Sequence, residues 1–126
     1  MEPTITIRPA TDFAVDAALL SPGERAVMPA AGRRRDEWIR GRLAMRAALV
    51  ATLGPAATGI EIVIAPDAGP LLVGGPPCAV SLSHDPGWIA VAVAVGACRV
   101  GIDLCVRSHA TRVGGLLRWL DVRHDC

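Results

Sequence analysis

Apolar and polar residues alternate over Thr4-Ile5-Thr6-Ile7-Arg8, the two-residue period of a strand, and Pro9 ends it. Asp12 to Leu20 reads as a short helix. Ser21-Pro22-Gly23-Glu24 is a helix start, with Ser at the cap, Pro at the first position and Glu three residues after the Ser. A basic turn, Gly32-Arg33-Arg34-Arg35, leads into the strongest helical segment, Asp36 to Leu53. Ile39, Leu43, Ala47 and Val50 share one stripe of it, and Arg35, Arg42 and Arg46 another, which predicts an apolar face and a basic face. Gly54-Pro55 stops it.

From residue 59 the period shortens again. Strands are predicted at Ile60–Ala65, Cys78–Ser83, Trp88–Val95 and Arg99–Cys105, with a turn at Pro66–Pro70. Gly96-Ala97 suggests a hairpin between the last two. Ser108 to Leu120 is expected to be helical despite Gly114-Gly115. This order predicts an α+β fold in a single domain over residues 1–126: a mostly antiparallel sheet with a long helix packed on one face. The segment 108–126 is the least defined part.

Composition narrows the picture. Of 126 residues, 52% are hydrophobic, which argues against disorder. There are three Trp, one Phe and no Tyr, so Ala, Val, Leu and Ile must fill the core. A formal net charge of +1 gives no reason to expect nucleic acid as partner. All 13 basic residues are Arg. Arg grips phosphate through a planar fork but does not shed its proton, so none of these cations can serve as a base. Cys78, Cys98, Cys105 and Cys126 form no C-x-x-C pair and read as reduced thiols. No signal peptide is evident, and the longest apolar run, Trp88 to Cys98, is too short for a membrane span. The expectation is a soluble cytoplasmic protein with no membrane partner.

Two segments carry polar groups into apolar strands. In Ser81-Leu82-Ser83-His84-Asp85 the side chains alternate between faces, and His84 falls at the strand end, within reach of a ligand. In Gly101-Ile102-Asp103-Leu104 an Asp stands inside a strand beside Gly, where a carboxylate needs a partner such as a divalent metal or an Arg. If hairpin pairing brings the strands together, His84 and Asp103 flank one site. An imidazole, a metal-binding carboxylate and an Arg-rich helix suit a polyphosphate.

In this order the segments resemble the surfactin-type 4'-phosphopantetheinyl transferases, over roughly residues 18 to 107 and their first half only. The matching runs are Ser21-Pro22-Gly23-Glu24-Arg25, Trp38-Ile39-Arg40-Gly41-Arg42-Leu43-Ala44, Gly69-Pro70, Ser81-Leu82-Ser83-His84 and Gly101-Ile102-Asp103-Leu104-Cys105. The resemblance implies transfer of 4'-phosphopantetheine from coenzyme A to a serine of an acyl or peptidyl carrier protein, with Mg2+. It implies catalytic roles for His84 and Asp103, with Asp103 as metal ligand. It implies coenzyme contacts from Arg25, Arg42, Ser83 and His84, and less directly from Arg33 to Arg35.

Three departures accompany the match. Cys105 stands where the family has a second acidic metal ligand, and a thiol is a poor partner for Mg2+. The Gly-Pro turn lacks its basic residue. The family's later Trp-x-x-Lys-Glu motif is missing: this sequence has no Lys and no Glu beyond Glu61. Self-association into a homodimer would not supply that Lys. The sequence therefore leaves open a transferase, a half-domain that binds coenzyme A or a carrier protein without transfer, and a piece of a longer enzyme. For Trp38, Trp88 and Cys105 the residues themselves suggest core packing, and for His109 and His124 the surface.

Overall fold

A computed structural model describes residues 3–65, 69–85, 87–96, 99–108 and 116–125. Its largest sheet has three strands, β1 (Thr4–Pro9), β4 (Cys78–Asp85) and β5 (Trp88–Val95), in the order β1-β5-β4 and all antiparallel. Pro9 closes β1 opposite Trp88; β1 is an edge strand, so the missing N–H is tolerated. The β4–β5 hairpin runs without a bulge from Cys78 opposite Val95 to Asp85 opposite Trp88. Gly87 takes φ 80° in the tight turn between them.

The central strand β5 is buried from Ile89 to Ala94. Its large residues, Ile89, Val91 and Val93, join the core cluster with Ala44, Met45, Ala48 and Leu49 of the long helix α2 (Gly32–Leu53). The alternate residues, Ala90, Ala92 and Ala94, are equally buried on the other face. A strand read as continuously apolar is thus covered on both sides. Short 3-10 turns at Ala10–Asp12 and Ala17–Leu19 replace the helix expected over Asp12 to Leu20. Helix α1 (Pro22–Val27) starts as expected, with a complete capping box between Ser21 and Glu24.

The long helix begins at Gly32 rather than Asp36, and its buried stripe differs from the expected one. Ile39 is buried, but Leu43, Ala47 and Val50 only flank the core; Gly41, Arg42, Ala44, Met45, Ala48 and Leu49 face inward. Two tertiary contacts explain the rotation. Gly41 lets Leu82 of β4 approach so closely that a Cβ at 41 would stand 2.9 Å from Leu82 Cδ2. Arg42 is drawn inside by a buried carboxylate, described below. Gly54 ends the helix at φ 90°, donating its N–H to Val50 O at 2.8 Å.

Two further hairpins complete the fold. Glu61–Ala65 (β2) pairs with Gly69–Val73 (β3), so Gly69-Pro70 opens a strand rather than a turn; residues 66–68 lie outside the described part. Arg99–Ser108 (β6) pairs with Leu116–Asp125 (β7). This overturns the helix expected from Ser108 to Leu120 at Ser108 and at Leu116–Leu120; residues 109–115 lie outside the described part. Cross-strand pairing with β6 satisfies the backbone of residues 116–125 that a helix would have satisfied internally. It also corrects the hairpin expected between β5 and β6: β6 takes β7 as its ladder partner, although it lies against both β4 and β5. The architecture is α+β, with antiparallel sheets and one long helix.

Candidate functional site

A cleft of about 830 Å3 opens between the first turns of α2 and the β4–β5 turn. Gly32, Arg33, Asp36, Glu37 and Arg40 line it from the helix, and His84, Asp85, Gly87, Trp88 and Ile89 from the hairpin. Ala10 and Thr11 close its rim. A volume in the range of roughly 300–1,000 Å3 suits a cofactor-sized ligand. The N-terminus of α2 opens here, and its cap residue Ala31 makes no side-chain capping bond. The charge is mixed, with Arg33, Arg40 and His84 against Asp36, Glu37 and Asp85. Arg33 already pairs with Glu37 at 3.0 Å, and Arg40 Nε donates to Phe13 O at 3.2 Å.

A smaller recess of about 220 Å3 adjoins the cleft. Arg34, Glu37, Trp38, Gly41, Arg42, Met45, Leu82 and His84 line it. Its presence on the helix side of β4 fixes where His84 points. Leu82 and His84 leave β4 toward α2; Ser81 and Ser83 leave on the opposite face, since successive side chains alternate along an unbulged strand.

Asp103 belongs with Ser83. Ser83 Oγ lies 3.5 Å from Asp103 Oδ1, long for a hydroxyl–carboxylate bond. Asp103 is exposed, and Ser83 half-buried. The strand of Asp103 lies against β4 without the expected hairpin, and it meets Ser83 there rather than His84. His84 serves the helix-side cleft, and Asp103 lies against the far side of β4. A single diphosphate held between His84 and a cation on Asp103 does not match this arrangement. The oxygens of Asp103 and Ser83 suit Mg2+ chemically, but they lie on the face of β4 away from the cleft and so do not fit a cation that bridges a ligand held there. No group of three or more His, Cys, Asp or Glu that could hold a metal occurs among the described residues.

Two Arg residues expected at the coenzyme are engaged within the protein. Arg42 and Glu24 are each 3% exposed and lie 3.5 Å apart. Arg42 Nη1 donates to Ile62 O at 2.8 Å, and its guanidinium stacks 4.6 Å from the Trp38 ring. Burial pushes the Arg42 pKa down; Glu24 opposes this and Arg46 adds to it. Arg46 pairs with the same carboxylate at 3.4 Å and donates to Ala57 O and Ile60 O. Two of the three Arg expected on the basic face of α2, Arg42 and Arg46, therefore belong to an ion cluster around the buried Glu24, and Arg42 also lines the recess. Glu24 is held for it by the capping box, and Ser21 Oγ also donates to Glu61 Oε2 at 3.0 Å. Arg25 is exposed, donates from Nη1 to Leu20 O at 2.6 Å, and does not line the cleft.

The run Arg33 to Arg35 divides among three settings: Arg33 lines the cleft, Arg34 the recess, and Arg35 stands 3.9 Å from Asp36. Sequence reasoning missed Asp36, Arg40, Asp85 and Trp88 as cleft residues. The signal available for Trp88 was its place just past His84 across a Pro-Gly turn. The side chain of Cys105 and residue His109 lie outside the described part, as does the side chain of His124. No helix among the described residues is long and apolar enough to cross a membrane. No family model matches this chain, and no curated protein matches it.

Proposed function

We propose that the chain binds coenzyme A through the cleft beside His84 and serves 4'-phosphopantetheine transfer to a carrier protein. One observation carries the reading. A cofactor-sized cleft joins His84 to Arg33, Arg40, the open N-terminus of a 22-residue helix and the ring of Trp88. Helix N-terminal amides, Arg and His favour phosphate oxygens, and an indole offers a face to adenine. The carboxylates of Asp36, Glu37 and Asp85 work against a polyanion unless a cation accompanies it, which agrees with a Mg2+-dependent ligand. Bound Mg2+ would neutralise charge on the diphosphate oxygens.

Transfer would join a carrier serine oxygen to the phosphorus that bears pantetheine and break the diphosphate bridge. Adenosine 3',5'-bisphosphate would leave. The serine proton must go to a base, and this sequence has no Lys to receive it or to support its removal. That feature favours a second reading, a half-domain that binds coenzyme A or the carrier protein without transfer. The chain, Mg2+, coenzyme A and an apo carrier protein separate the two when the carrier is weighed by mass spectrometry. A mass gain of one phosphopantetheine supports transfer. No gain, with coenzyme A raising the melting temperature in the parent and not in His84→Ala, supports binding alone. No thermal shift in the parent removes both.

A further inference from the structure

We infer that His84 is the base that takes the proton of the acceptor serine, at the junction between the cleft that holds the diphosphate and the recess through which the hydroxyl arrives. The inference rests on the transfer reading above. Attack by a serine oxygen releases a proton, and the strongly basic side chains of this sequence are all Arg, which do not accept one.

The geometry leaves few other acceptors. Arg33, Asp36, Glu37 and Arg40 face the cleft from α2, Arg34 and Arg42 face the recess, and Asp85 follows His84 on β4. Carboxylates as a class hold a proton only below about pH 4 and are weak bases at neutrality, where imidazole accepts one readily. Two of these carboxylates also stand in ion pairs: Glu37 lies 3.0 Å from Arg33, and Asp36 lies 3.9 Å from Arg35. Among the described residues no other His lines either cavity.

The position of His84 suits the step. It lines both cavities, so an oxygen entering by the recess and a diphosphate lying in the cleft meet beside the imidazole. Phosphoryl transfer sets the attacking and leaving oxygens roughly in line on opposite sides of the phosphorus. Two cavities joined at one residue give the two oxygens separate approaches. The recess, of about 220 Å3, carries the exposed Arg34, Glu37 and His84, and it admits a side chain rather than a folded surface. There a bond forms from the serine oxygen to the phosphorus that bears pantetheine, and the bond to the bridging oxygen breaks with its electron pair. The proton passes from the hydroxyl to a ring nitrogen of His84 and then to solvent.

Rates of transfer to an apo carrier protein, measured over a range of coenzyme A with Mg2+ in excess, compare the parent with His84→Ala. Loss of a base should lower kcat about a hundredfold or more and change the KM for coenzyme A far less. Added imidazole should raise the kcat of the variant at least tenfold. Guanidinium ion at the same concentration, a cation that accepts no proton, should not. His84→Gln carries the same test if His84→Ala does not fold. An unchanged kcat, a loss confined to KM, rescue by neither ion or rescue by both overturns the base while leaving the transfer reading intact. No transfer by the parent overturns that reading and this inference with it.

Discussion

Ser83 Oγ and Asp103 Oδ1 stand 3.5 Å apart across twenty residues of sequence, on the face of β4 turned away from His84. The residues that sequence reasoning treated as one constellation are thereby sorted onto two faces of one strand. Which carboxylate serves a metal then becomes an experimental distinction.

If Asp103 holds the cation, Asp103→Ala abolishes the Mg2+-dependent part of coenzyme A binding, a loss of tenfold or more, about 1.4 kcal/mol. Asp85→Asn, on the cleft side, should then have little effect. Titrations with and without Mg2+ make the comparison. Unchanged affinity in Asp103→Ala rejects the metal role, and a larger loss in Asp85→Asn moves the cation into the cleft.

The Glu24–Arg42 pair should dominate local stability. Glu24→Gln leaves a buried guanidinium without its counter-charge, which costs about 3–5 kcal/mol. The double variant Glu24→Leu/Arg42→Met should be markedly less destabilised than Glu24→Gln. Urea denaturation measures both, and a loss below about 1 kcal/mol in Glu24→Gln contradicts the buried pair seen here. Burial lowers the Arg42 pKa, so the folded chain binds that proton less tightly than the unfolded chain. This opposes stability at every pH below the lowered value and is relieved only in strong alkali. Across the neutral range Arg42 should impose no slope on stability.

Cys78 behaves in the opposite sense. Partial burial pushes its thiol pKa up. The folded chain therefore keeps the proton after the unfolded chain has lost it. The stability gained is complete below the ordinary thiol pKa and falls as pH rises through the raised value. Stability from about pH 8 to 10 should decline less steeply in Cys78→Ala than in the parent. Peptide mapping after brief alkylation at neutral pH should find Cys78 far less modified in the folded than in the denatured chain. Equal modification shows that burial does not protect it.

Much of the fold follows from local pattern. The alternation of Thr4 to Arg8, the apolar run from Trp88 to Val95, the Ser21–Glu24 cap and the Gly54 stop are written in neighbouring residues, because hydrogen-bond geometry and side-chain period act over a few positions. The candidate site was legible as a set of residue types: His84 at a strand end and Asp103 beside Gly101 were visible as polar interruptions. Their grouping was not, since a pattern along one strand does not say which element covers each face.

Tertiary structure decided the rest. Arg42 looks like a solvent-facing cation in the sequence; it lies inside because Glu24, eighteen positions earlier, is buried by the capping of a different helix. The register of α2 follows from Gly41 meeting Leu82, a contact between distant segments. The final segment forms β7 because β6 offers it a ladder. Desolvation and close packing depend on what arrives from elsewhere in the chain, so they fixed which charges stay buried, which face a ligand and which side of β4 each takes.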